Sequence, residues 1–219
     1  SKLALLLIDM QNDFLSPEGM MAAKKVDMRP VRRIIEPARR VADGCRRAGV
    51  KVIYTQHVFR PDFSDLSQSW ASIYLERPGT VGPGQKVGPP GESLGSLVRG
   101  TWNAAIIPEL VPQEGDIVVD SKHTYTAFYQ TDLELILRKL GIETLLIGGV
   151  TTAVCVESTL RDAFFRGFRC VLLKDCTWEK TPELQAASET IVKMHFGMVT
   201  TSAEVLKGLR RQRTPGVAP

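Results

Sequence analysis

Residues Leu3–Ile8 read LALLLI, apolar at all six positions. A strand with one wet face alternates apolar and polar residues, so an unbroken apolar run belongs to a strand covered on both sides, as in a parallel sheet between helical layers. Parallel strands need long crossovers, usually helical. The next segment supplies one: Val31, Ile34, Ile35, Ala38, Val41, Ala42 and Cys45 follow a three-and-four spacing that predicts a helix over 31–47, stopped at Gly49. The run VKVIYT at 50–55 then predicts a second strand.

The rhythm resumes later in the chain, with strands expected at 117–119, 144–150, 168–173 and 198–200. Between and after them, helices are expected at 132–140, from Val156 to Gly167, at 183–194 and at 203–210. Repeated βα units with right-handed crossovers imply an α/β fold, a three-layer Rossmann-like arrangement with a six-stranded parallel sheet and helices on both faces. The segment 60–102 is rich in Gly, Pro and Ser and too long for a routine connection. Since alternation continues in kind after it, residues 1–219 are expected to form one domain, with 60–102 a long loop insertion serving as a lid, a binding loop or a subunit contact.

Composition removes several function classes. A chain of 219 residues with 43% hydrophobic and 24% charged residues is an ordinary globular sequence able to bury a full core. The net charge of +4 owes part of its excess to Arg29, Arg32, Arg33, Arg39, Arg40, Arg46 and Arg47, but few aromatics interleave them, so they read as solvated helix surface and no nucleic-acid partner is expected. Cys45, Cys155, Cys170 and Cys176 have neither CxxC pairing nor regular spacing, which suits reduced thiols and a cytoplasmic location. No export signal or membrane span is expected, because no stretch approaches the roughly 18 apolar residues a spanning helix needs.

In open α/β sheets ligands bind beyond the carboxyl ends of the strands. Three reactive side chains fall there: Asp9 after the first strand, Lys122 after DIVVD, and Cys155 after LLIGGV. The glycines before Cys155 permit a tight turn, and Thr152 is the expected cap of the following helix. Cys155 would then sit at the third helical position, beside unpartnered N–H groups that lower a thiol pKa and can stabilise an oxyanion. Cys155 alone would usually be a small buried hydrophobe. Asp9 and Lys122 at equivalent strand ends favour a nucleophile with an acid–base partner.

The stretches LLLIDMQNDF, KHTYTAFYQTDL and GGVTTAVCVESTLRDAFFRGF resemble the three blocks of the isochorismatase-like cysteine hydrolase superfamily. VCVESTLRDA is similar to the wording of its ureidoacrylate and biuret amidohydrolase branch. The resemblance implies a catalytic trio of Asp9, Lys122 and Cys155, a cis peptide between Val150 and Thr151, and an oxyanion hole from the N–H groups of Thr151 and Cys155. It also implies a pocket Phe, here Phe14. His57, Arg60 and Tyr125 are further candidates for substrate contact.

Two departures from the superfamily's patterns narrow the expectation. The Asp-x-His metal motif of its nicotinamidases is replaced by Tyr54, Thr55, Gln56 and His57, so no metal and no cofactor is expected, with His57, Asp62 and Asp65 the weaker alternative as ligands. Members that cleave the isochorismate vinyl ether lack the cysteine, which argues against that chemistry here. The expected function is a cysteine-dependent amidohydrolase that cleaves a C–N bond of a small ureido or carbamoyl amide through a thioester, releasing ammonia or an amine. A nicotinamidase-like or other small-amide hydrolase is the alternative, and a catalytically inactive metabolite-binding member is the second. A dinucleotide oxidoreductase is disfavoured because GGVTTA is not GxGxxG. The expected partner is a small amide or ureido substrate, on a homo-oligomer (dimer or tetramer).

Overall fold

The computed structural model describes residues 2–76, 80–89 and 95–213. In chain order the elements are β1 Leu3–Ile8, α1 Asn12–Leu15, α2 Met20–Ala23, α3 Met28–Arg32, α4 Ile35–Arg47, β2 Lys51–His57, α5 Gln68–Tyr74 and β3 Ile117–Lys122. They continue with α6 Leu133–Lys139, β4 Thr144–Val150, α7 Glu157–Phe165, β5 Arg169–Trp178, α8 Pro182–Ile191, β6 Gly197–Thr200 and α9 Ser202–Arg213. The six strands form one parallel sheet in the order β3-β2-β1-β4-β5-β6.

β1 lies at the centre, and its run LALLLI divides between two cores. Leu5 and Leu7 join Val41, Ala42 and Cys45 of α4 and Leu209 of α9 on one face. Ala4, Leu6 and Ile8 join Leu133 and Leu137 of α6 and Leu160 and Ala163 of α7 on the other. This is the three-layer arrangement expected from an unbroken apolar strand. The topological reversal falls between β1 and β4, where such sheets open a crevice for ligands.

Three local expectations are corrected. The helix expected over 31–47 is two helices, α3 and α4, separated at Arg33 and Ile34. Pro37 is the cause: its ring would clash with the carbonyl of residue 33 in a continuous helix, and it has no N–H to give. β5 runs on to Trp178 past a register shift between Ile147 and Gly149, instead of stopping near 173. β3 likewise continues to Lys122, with Thr55 opposite Val119 but His57 opposite Lys122. That extra residue is a bulge, a device that re-aims side chains near functional sites.

Part of the segment 60–102 is ordered chain with structure of its own. It holds α5, capped by the Ser67 side chain, and it is anchored just beyond β2 through backbone bonds from Phe59 N to Leu97 O and Arg99 N to Phe59 O. Residues 77–79 and 90–94 lie outside the described residues. The arginines noted above lie mostly on solvated helix surface in ion pairs such as Arg39 with Glu36; Arg46 instead bonds Asp116 and the Tyr54 hydroxyl. Among the described residues no helix is long and apolar enough to cross a membrane.

Candidate active site

Four strand ends deliver the polar centre of the molecule. Asp9 follows β1, His57 closes β2, Lys122 closes β3, and Cys155 lies in the turn after β4. Lys122 is completely buried and its ammonium donates to Asp9 Oδ2 at 2.6 Å, His57 Nδ1 at 3.1 Å and Cys155 Sγ at 3.4 Å. The three expected residues are therefore brought together, with His57 as a fourth member.

Each is held by its local structure. Asp9 adopts a φ of 54°, a left-handed conformation that Asp tolerates better than most residues, at the point where β1 ends. Its Oδ1 accepts from the Thr55 hydroxyl at 2.7 Å. The Gln11 amide fixes the end of β2 by accepting from His57 N at 2.7 Å and donating to His57 O at 3.0 Å. β4 can lie this close to β1 because Gly149 has no side chain: a Cβ there would come within 2.1 Å of the Ile8 carbonyl oxygen.

The turn that presents Cys155 differs from the helix start expected. Thr152–Val156 forms a wide π-type turn, with Val156 N donating to Thr151 O at 3.2 Å, before α7 begins. The cap position belongs to Thr151, whose side chain makes no cap bond, while the Thr152 hydroxyl donates to Gln185 Oε1 at 2.7 Å. The Val150–Thr151 peptide is cis. Thr151 lines the same cavity as Cys155. α7 then ties down the segment after β3: Thr159 accepts from Ala127 N at 3.0 Å and Asp162 accepts from the Thr126 hydroxyl at 2.7 Å. The residues of VCVESTLRDA thus also fix the segment carrying Tyr125.

Electrostatics correct a second expectation. Burial pushes the Cys155 thiol up to about 12, and the nearby Lys122 ammonium offsets only part of that rise. The resting thiol is protonated at neutral pH, not the preformed thiolate expected from a helix start. Burial on its own lowers Lys122, but the Asp9 carboxylate and the Cys155 sulfur outweigh it, so the lysine is raised and keeps its charge. Burial, then Lys122 and His123, hold His57 well below its ordinary value, so the ring is neutral. Since Nδ1 accepts from Lys122, its proton sits on Nε2, which has no hydrogen-bond partner among the described residues.

A cavity of about 280 Å³ opens over Cys155. Phe14, His57 and Tyr125 line it, together with Trp70, Tyr74 and Thr151. Arg60 does not: it lines a larger neighbouring surface cavity with Arg99, His123 and Tyr129. The alternative metal set is not assembled, since Asp62 accepts from Ser64 N and Asp65 from Arg60 N in local turns. The donors that do converge within 4.8 Å are Asp9, His57 and Cys155, and the Lys122 ammonium bonds all three.

Sequence reasoning did not find Glu179. It is buried, with Oε2 accepting from Ala153 N at 2.9 Å inside the turn that carries Cys155 and Oε1 accepting from Lys180 N at 2.8 Å. Its position after β5, another strand end, was the available signal. Lys24 and Lys180, which also line the cavity, lie on segments without a motif.

An isochorismatase-domain model matches residues 3–204. The chain belongs to the isochorismatase family. It is 34% identical over 203 residues to ureidoacrylate amidohydrolase RutB of Yersinia enterocolitica, covering 90% of this chain and 84% of the relative. Among solved structures, a cysteine hydrolase from Pseudomonas syringae pv. phaseolicola aligns with a TM-score of 0.79 and 29% identity over 96% of this chain and 93% of that one. The N-carbamoylsarcosine amidase of Thermoplasma acidophilum aligns at 0.69 and 26%, covering 92% and 97%.

Proposed function

We propose that this isochorismatase-family hydrolase is a cysteine-dependent amidohydrolase that cleaves a C–N bond of a small ureido or carbamoyl amide, of the kind ureidoacrylate represents. The observation that carries the reading is the Lys122 ammonium bonded at once to Asp9 and Cys155 beside a small cavity. The names of the relatives point to the same chemistry, and both named substrates bear a ureido or carbamoyl carbonyl.

The buried thiol sets the order of events. With Cys155 protonated at rest, attack requires its proton to pass to Asp9 as sulfur bonds to the carbonyl carbon. Lys122 stabilises the negative charge while it moves from carboxylate to sulfur and onward. The carbonyl oxygen, now an oxyanion, takes hydrogen bonds from the N–H groups of Thr151 and Cys155. Collapse breaks the C–N bond, and the proton on Asp9 leaves with the departing ammonia or amine. Water, deprotonated by Asp9, then attacks the acyl–sulfur bond and releases the enzyme. Phe14, Tyr125 and His57 contact the substrate, and no cofactor takes part. The four free thiols suit a cytoplasmic enzyme, working as a homo-oligomer.

Ammonia release and kcat/KM across ureidoacrylate, biuret, N-carbamoyl amino acids and nicotinamide test the reading. A ureido or carbamoyl compound is expected to rank first. A kcat/KM highest for nicotinamide by a wide margin would overturn it.

A further inference from the structure

The cavity over Cys155 has a distinct charge pattern. At its base the Asp9 carboxylate and the Lys122 ammonium are paired. Among the described residues the one carboxylate on its wall, Glu179, already accepts from two backbone N–H groups. Two ammonium groups remain, on Lys24 at the end of α2 and on Lys180 after β5. Among the described residues neither forms an ion pair or a side-chain hydrogen bond. Lys24 instead rests over the Tyr74 ring, with its Nζ 5.1 Å from the ring centre.

Lys180 is exposed to water and Lys24 is partly buried, and their like charges repel beside one small cavity. Burial, and then the Lys180 charge, depress Lys24 to about 8 against a weaker opposing effect from Asp13. Asp13 does not supply the missing partner. It is buried and its two oxygens accept from Met20 N, Asn103 Nδ2, Ser96 Oγ and Leu97 N, which ties α1 to the loop of residues 96–103. A ligand anion would relieve the repulsion.

From this geometry we infer that Lys24 and Lys180 form an anion subsite of the cavity, which holds the carboxylate of a small ureido or carbamoyl acid while its carbonyl lies on the Cys155 side. The inference rests on the amidohydrolase reading for the identity of the reacting group, but the anion site stands on the cavity itself. Its volume of about 280 Å³ lies at or below the roughly 300–1,000 Å³ of pockets for drug-sized ligands, which suits a compact acid. Neutral biuret and nicotinamide would leave the repulsion between the partly buried Lys24 and Lys180 uncompensated, which favours an acid over them.

Calorimetric binding to the full-length Cys155→Ser protein, which removes turnover from the question, tests the site with N-carbamoyl-β-alanine and its methyl ester. The acid is expected to bind at least tenfold more tightly than the ester. Lys24→Met/Lys180→Met should shrink that preference to below threefold, and Lys24→Arg/Lys180→Arg should restore most of it, which general damage to the fold would not allow. Failure of the acid to bind, equal binding of acid and ester, or a preference that survives the double Met replacement would each overturn the inference. If the active protein hydrolyses no ureido compound, the amidohydrolase reading fails on its own, while the acid-against-ester comparison still decides the anion site.

Discussion

Asp9→Asn is nearly isosteric and removes one charge from a buried ion pair whose members are both fully inaccessible to solvent. Lys122 then keeps its ammonium in a site where His57 is neutral and burial opposes charge. Removing one partner of such a pair costs about 3–5 kcal/mol. For a chain of this size, each kcal/mol moves the melting temperature by roughly 2–4 °C, so a fall of roughly 6–20 °C is expected. The pH dependence follows from the direction of the lysine shift. In the wild type Lys122 is raised above its ordinary 10.5, so its contribution is complete below that value and is lost only as pH climbs through the raised one. In the variant, burial without the carboxylate depresses the lysine, so the penalty is full at neutral pH. It shrinks by up to about 1.4 kcal/mol per pH unit between the depressed value and 10.5. Urea unfolding at pH 7 and 9 is the assay: the gap between variant and wild type should narrow at pH 9, and Asp9→Asn/Lys122→Met should recover most of the loss. A single variant within about 1 kcal/mol of wild type, with a gap indifferent to pH, would refute the reasoning.

Further expectations are open to direct measurement. Gly149→Ala places a methyl group 2.1 Å from the Ile8 carbonyl oxygen at a φ of 129°, so a loss above about 3 kcal/mol in urea unfolding is expected, and a stable variant would show that β1 and β4 can separate. In the proposed mechanism Asp9, Lys122 and Cys155 act on one proton and one bond, so a triple Asp9→Asn/Lys122→Met/Cys155→Ala variant should turn over no more slowly than Cys155→Ala; a further large drop would mean independent roles. Prolonged chelation should leave kcat/KM unchanged, because the ammonium of Lys122 already occupies the donors of Asp9, His57 and Cys155. Loss of activity that zinc or iron restored would reverse that conclusion.

The architecture was legible because its central strand β1 carries no polar residue that could face water. LALLLI admits few environments, and Leu5 and Leu7 on one side with Leu6 and Ile8 on the other fill two cores as that run demands. Asp9, Lys122 and Cys155 could be placed at strand ends, but not the means of bringing Lys122 to the other two. That depends on the bulge opposite Thr55–His57 and on the left-handed backbone of Asp9, neither of which has a clear sequence signature. The break before α4 was legible in Pro37, whereas the apolar spacing around it suggested continuity. Thr152 looked like a cap because threonine commonly is one; the neighbouring α8 offered Gln185 as a competing acceptor, and long-range contacts of that kind leave no local trace. The thiol's elevated pKa follows from burial, which outweighs the helix-start argument.

Acid-quenched single turnover with ureidoacrylate, followed by peptide mass spectrometry, tests the account most directly. The acyl fragment of the substrate should appear on the peptide containing Cys155 and decay as product forms, with neither adduct nor turnover in Cys155→Ser. Substantial turnover by Cys155→Ser, or an adduct confined to Cys45, Cys170 or Cys176, would contradict it.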